Sequence, residues 1–287
     1  MNKTVLSIFL CCCIFSAQLH AQVAEDDDFW LLLDYQPPPQ NAIWLYAGAD
    51  EFDGNYYGVT ADLAIVDVLH FNLSATQQNY FVETTDLSWG FSGVINPSFS
   101  WGLLKTFWGK RDQLEKNDTR LMMSYFNGGF NTQLSYEKGD VVLFFTEQNF
   151  ILLDSVSTDH RAAQLSLGYR WPEFYGQLSH KQHNYSRDLF ILLRRPVSQL
   201  LFNSFGIQQA TALAETESGI LLGFQQTDVY YEIYISRIKS AVSGETNTYA
   251  TLRLLKALNN QLQLGVDIEA PVNDVPFSAG LSLGILW

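Results

Sequence analysis

The stretch that decides the fold is Phe277–Trp287, FSAGLSLGILW. Phe277, Ala279, Leu281, Leu283, Ile285 and Trp287 share one face of an extended chain. Ser278, Gly280, Ser282 and Gly284 take the other, with Leu286 as the exception. Successive strand side chains point to opposite sides, so this period marks a strand with one apolar and one polar face. The segment before it repeats the pattern: Leu262, Leu264, Val266 and Ile268 alternate with Gln263, Gly265, Asp267 and Glu269. Upstream, Leu69, Phe71, Leu73 and Ala75 alternate with His70, Asn72, Ser74 and Thr76. Ala163, Leu165, Leu167, Tyr169 and Trp171 do the same against Gln164, Ser166, Gly168 and Arg170. Many such strands with no helical period between them predict an antiparallel all-β chain.

Composition narrows the setting. Of 287 residues, 47% are hydrophobic and 16% charged, whereas soluble domains carry about 25% charged residues. Yet beyond the N-terminus no apolar run reaches the roughly 20 residues a membrane helix needs. A soluble sandwich or lipocalin-like barrel would turn the apolar faces inward; a membrane barrel would turn them outward to lipid. Alternation alone does not choose between them. Tyr57, Trp89, Phe99, Trp101, Tyr169, Trp171, Phe174 and Trp287 are candidates for aromatic girdles at two membrane interfaces.

The closing strand resembles the C-terminal recognition signal of Gram-negative outer-membrane β-barrel proteins. Phe277, Leu281, Leu283, Ile285 and Trp287 carry the resemblance, and Trp287 stands where Phe is commoner. The match covers only the end of the chain, so it speaks to class and insertion route. It implies a transmembrane antiparallel up-and-down β-barrel in the bacterial outer membrane. Outer-membrane lipids and the barrel-assembly machinery would be its partners.

The N-terminus fits export. Lys3, the apolar run Val5–Phe15 and the small residue Ala21 predict a signal peptide over residues 1–21. All three cysteines, Cys11 to Cys13, fall inside it, so thiolate metal sites and thiol catalysis are not expected of the mature chain. Residues 22–40 form a periplasmic segment, acidic at Glu25–Asp28, apolar at Phe29, Trp30, Leu31, Leu32 and Leu33, and stiff at Pro37–Pro39. It reads as a tail leading into a first strand near Ile43, or as a surface for docking a periplasmic protein. The barrel is expected over 41–287.

Short turns are expected at Ala64–Asp67, Asn96–Ser98, Lys138–Asp140, Trp171–Glu173, Thr227–Asp228 and Ala257–Asn259. Longer polar loops are expected at Ala49–Gly54, Gln78–Asp86, Gly109–Asp118, Asp154–His160, His183–Asp188, Ser240–Asn247 and Ala270–Pro276. Counting back from a last strand that ends in the periplasm gives about sixteen strands, with fourteen and twelve as alternatives. The weak regions are Thr119–Glu137, which Gly128-Gly129 could split, and Leu189–Ala214.

The formal charge of −13 and the absence of a basic run argue against nucleic acid. No phosphate loop or zinc spacing is present, so no cofactor or metal is expected. His180–Ser186 is the one cluster with a base near a hydroxyl. His183 and Ser186 are three apart and would face opposite sides of a strand, as would His180 and His183. An ordinary solvated loop fits this cluster better than a catalytic or metal site. Asp62, Arg170, Glu232, Arg253, Asp267 and Glu269 are expected to face a lumen. There they would pair with one another or, with acid in excess, favour cations and neutral solutes. Three functions remain open: a passive channel for small solutes or an exported product, a structural or assembly partner, and a lipid-acting surface enzyme.

If assembly reads the terminal aromatic, Trp287→Ala should lower the amount of heat-modifiable barrel in outer-membrane fractions. Unchanged levels of folded protein would remove the recognition role of Trp287.

Overall fold

A computed structural model of the chain describes residues 41–50, 54–79, 83–110, 114–145, 154–187, 213–226, 228–241, 244–271 and 278–287. The alternating segments become fourteen strands: β1 (Ala42–Asp50), β2 (Asn55–Val66), β3 (Leu69–Asn79), β4 (Glu83–Asn96), β5 (Phe99–Lys110), β6 (Leu114–Asn127) and β7 (Phe130–Phe145) make the first half. The second half is β8 (Asp154–Arg170), β9 (Phe174–Tyr185), β10 (Ala214–Gln226), β11 (Val229–Ser240), β12 (Thr246–Asn259), β13 (Leu262–Pro271) and β14 (Ser278–Leu286). Each strand pairs antiparallel with its chain neighbours, and β1 pairs with β14 from Ala42↔Leu286 to Asp50↔Ser278. The sheet is a closed barrel with no open edge.

The register fixes which side of the wall each residue takes. Side-chain bonds that skip a strand form on the concave side. Asp118 of β6 reaches His160 of β8, Asn131 of β7 reaches Tyr175 of β9, and Tyr46 of β1 reaches Thr76 of β3. Everything in phase with these residues faces the lumen. Burial then sorts opposite to a soluble protein. His70, Gln78, Thr84, Asp118, Glu137, His160, Ser166, Lys181, His183 and Gln263 are buried, and all lie on the inner face. Leu45, Leu103, Leu121, Leu134, Leu165, Leu178, Ile220, Ile235, Leu264 and Leu281 are exposed, and all lie on the outer face. An apolar exterior of this extent is stable only against lipid. Periodicity left that choice open; closure and burial decide it.

One end of the barrel is smooth. Asn127 and Phe130 pair across Gly128-Gly129, whose φ values of 57° and 88° suit the two-residue hairpin turn that needs both positive. Asn96 Oδ1 accepts from Ser98 N at 2.9 Å, and Asn259 Oδ1 accepts from Gln261 N at 2.8 Å and Leu262 N at 2.9 Å. These side chains replace backbone partners that a tight turn leaves unused. At the smooth end Phe99 packs on Tyr125 with centroids 4.8 Å apart. Tyr169, Trp171 and Phe174 form a chain of rings at 4.7 and 5.3 Å. Trp101 and Trp287 share this level. Tyr57 stands on the outer face nearer the loop end, while Trp89 lies mid-strand opposite Leu73 and Lys105.

Among the described residues the barrel has fourteen strands, the alternative given beside the main expectation of sixteen. Lys138–Asp140, with its turn-like Lys-Gly-Asp, continues β7, and Asp154–His160 lies within β8 instead of forming a loop. No strand stands between β9 and β10, which pair directly from Thr216↔Gln182 to Phe224↔Phe174. Gly128-Gly129 does split Thr119–Glu137. The first strand begins at Ala42, beside the expected Ile43. The expected signal peptide over residues 1–21, the expected periplasmic segment 22–40 with Phe29–Leu33, and Phe277 lie outside the described residues.

Leu281 is 67% exposed on the outer face, and Ser282 beside it points inward. Leu281→Arg should therefore destabilise the lipid-embedded barrel by about 2–4 kcal/mol, while Ser282→Arg should be tolerated beside Asp267 and Glu269. Urea unfolding in vesicles reads the difference. Equal damage at both positions would mean that the inner face is packed solid at this level.

Candidate functional site

The six expected lumen residues all stand on the inner face by register, but the wall divides them. Glu232, Arg253 and Asp267 meet across β11, β12 and β13. Arg253 Nε donates to Asp267 Oδ1 at 2.6 Å, and its Nη1 reaches Glu232 Oε1 at 3.4 Å. Tyr230 OH donates to Glu232 Oε2 at 3.1 Å. Glu269, two residues beyond Asp267, has no ion pair among the described residues. Asp62 stands apart, 2.7 Å from His70 Nδ1. Arg170 lies near the smooth end, opposite Tyr175 of β9.

Arg253, Asp267 and Glu269 also line a cavity of about 410 Å³ that they share with Trp44, Tyr46 and Tyr56 of β1 and β2. Aromatic faces thus oppose charged groups across the inner wall. The rings lie flat because glycines lie beneath them. A Cβ on Gly58 would come within 2.5 Å of the Tyr46 ring, and one on Gly284 within 2.7 Å of Trp44. Tyr56 covers both Gly48 and Gly280 in the same way. Strand glycines often mark such close approach. Here they let large inner side chains run along the wall instead of across the lumen.

A second group, which the sequence reading did not assemble, occupies the opposite wall. Lys116 Nζ is 3.0 Å from Asp118 Oδ2. Asp118 Oδ1 is 2.8 Å from His160 Nδ1, and His160 Nε2 is 2.9 Å from His183 Nδ1. His183 Nε2 is 2.9 Å from Glu217 Oε1. Beside this row Glu137 pairs with Arg120 and with Lys181, whose Nζ is 2.9 Å from Oε2. Outward neighbours at this level are Lys138, Arg161 and Gln182, so the group sits at the loop-side margin of the apolar band. Asp118 reaches His160 over Gly139 of β7, where a Cβ would fall 1.9 Å from Asn117 O and 2.3 Å from Asp118 Oδ1. The same glycine produced the false turn signal.

The cluster His180–Ser186 is corrected accordingly. His180 through Tyr185 belong to β9, and Lys181 and His183 are buried instead of solvated in a loop. His180 and His183 do face opposite sides; His180 bonds Ser218 Oγ on the outside at 2.8 Å. Ser186 Oγ is 3.1 Å from Thr158 Oγ1 and accepts from Asp159 N at 3.0 Å. Its hydroxyl thus pairs with β8, and no bond to His183 is among those described. Each histidine and carboxylate of the row sits on the polar face of an alternating strand. The usable signal was the inward Gly139 between two polar positions, since it permits partners two strands apart to meet.

A closed antiparallel barrel, apolar outside, rimmed with aromatics and polar within, has the architecture of the outer-membrane class. No protein-family model matches the sequence, and no curated protein matches it. Among solved structures, the chain is similar to the NanC porin at 7% identity and a TM-score of 0.46, over 85% of this chain and 100% of that one. It is similar to the KdgM porin at 7% identity and TM-score 0.44, over 86% and 99%. OmpT of Vibrio cholerae, an outer membrane protein, aligns at 8% identity and TM-score 0.44, over 86% and 96%.

Gly139→Ala should destabilise the barrel by about 1–3 kcal/mol, because the new methyl meets backbone. Gly176→Ala on the outer face, where contacts begin at 3.6 Å, should have little effect. Denaturation midpoints of the two variants check the contrast. Equal stability would show that β7 can shift away at no cost.

Proposed function

We propose that this protein is a passive outer-membrane channel for small polar solutes. The carrying observation is the inverted burial: polar and charged residues line the inside of a closed barrel whose outside is apolar. A polar interior has no packing role that apolar side chains would not fill better, but it suits water and dissolved solutes. Tyrosine and tryptophan rings laid over glycines keep the wall thin. Charge then sets preference. Arg253 is matched by Glu232 and Asp267, which leaves Glu269 as a fixed negative charge beside the cavity. Cations and neutral solutes are favoured over anions.

The test replaces Asp267 and Glu269 with Asn and Gln, keeping size while removing two charges and leaving Arg253 with Glu232 alone. In planar bilayers at low salt, the reversal potential under a salt gradient should move toward anion preference. At molar salt the shift should nearly vanish, as screening shortens to about 3 Å. A folded wild-type barrel that gives no channel events, even after deletion of Gln22–Gln40, would overturn passive transport. Conductance gained only on that deletion would make the N-terminal segment a plug.

A further inference from the structure

With both imidazoles neutral and both carboxylates ionised, the row Asp118–His160–His183–Glu217 is one proton short. Its three contacts run carboxylate to imidazole, imidazole to imidazole, and imidazole to carboxylate, at 2.8, 2.9 and 2.9 Å. Each contact needs one hydrogen between two heavy atoms. Two neutral imidazoles carry two N–H protons, and ionised carboxylates carry none. If both outer nitrogens donate to their carboxylates, His160 Nε2 and His183 Nδ1 confront each other as bare lone pairs. A positive centre is missing from the middle of the row.

We propose that the missing centre is a divalent cation of the zinc type, held by His160 Nε2, His183 Nδ1 and the Glu137 carboxylate. One ligand atom from each of these three residues lies within 4.8 Å of the other two, and all three residues are buried; the 2.9 Å contact identifies His160 Nε2 and His183 Nδ1 as the nitrogens that face each other. The surroundings match what metal-binding imidazoles need. A metal-ligating histidine usually presents its second nitrogen to a carboxylate or carbonyl, which fixes ring orientation and tautomer. Here both do, His160 on Asp118 and His183 on Glu217. With zinc–nitrogen bonds of 2.0–2.1 Å in a tetrahedron, the two nitrogens would stand roughly 3.3 Å apart. The observed 2.9 Å has to open by only a few tenths of an ångström. Three protein ligands leave a fourth position for water.

The neighbouring charges set the limits of the site. Asp118, Glu137 and Glu217 are accompanied by Lys116, Arg120 and Lys181. An entering dication must therefore share Glu137 with Arg120 and Lys181. Binding should be weaker than in a closed four-ligand structural site. Two imidazoles and one carboxylate select zinc, nickel or copper over magnesium and calcium, which prefer all-oxygen sets. Glu217, with its side chain 26% exposed, marks the more open end of the row.

The full-length barrel, folded in detergent and stripped with a chelator, is titrated with Zn²⁺ by calorimetry and with Co²⁺ by visible absorption. One ion should bind per barrel, and millimolar Mg²⁺ or Ca²⁺ should not displace it. His160→Gln and His183→Gln should each weaken binding at least tenfold, and His180→Gln, on the outer face, should leave it unchanged. If a histidine variant does not fold, Glu217→Gln serves instead. Losing the carboxylate behind His183 should weaken binding about 10–100-fold. A wild-type barrel that takes up no Zn²⁺ overturns the proposal, and a third proton then completes the row. Equal uptake by wild type and by every folded row variant also overturns it, by assigning the ion to the surface.

Discussion

Every backbone amide and carbonyl within the apolar band has to find its partner inside the protein, because lipid offers none. For a sheet this condition is met only when the first strand finds the last. Here β1 and β14 supply that seam, and Trp287 N extends it by donating to Asn41 O at 3.0 Å. Once the ring is closed, side chains are free to sort by solvent alone. The outer face goes to lipid and the inner face encloses the polar groups, so that Leu281 is exposed and His160 is buried by the same closure.

The inner wall shows how a ring of strands accommodates large polar side chains. Glycine at an inward position removes a Cβ and lets a neighbour lie over the gap. Gly58, Gly48, Gly280 and Gly284 do this for tyrosine and tryptophan near the cavity, and Gly139 does it for an acid and a histidine on the far side. One device serves two ends. Under the aromatics it keeps side chains close to the wall; under Asp118 and His160 it builds a polar group spanning β6 to β10.

The lipid-facing residues were legible in the sequence because alternation is local. Phe71, Leu165, Leu264 and Leu281 could each be placed from immediate neighbours, and each stands on the outer face. Strand number depended on turn signals, which are ambiguous at glycine. Gly128-Gly129 is a turn, while Gly139 lies inside the longest hairpin. The difference is what lies opposite, and that is non-local. Among the lumen residues, Arg253 and Asp267 were readable as neighbours because they sit on adjacent strands. Asp118, Glu137, His160 and His183 are drawn from four strands spanning 66 positions, and no spacing rule brings them together.

The wall is uneven in height. β1 and β14 have nine residues each, while β7 and β8 have 16 and 17. Seen as a zipper bent into a ring, the barrel has its shortest run of teeth at the seam and its longest diametrically across from it. Force applied to the barrel would part the seam first and the β7–β8 hairpin last.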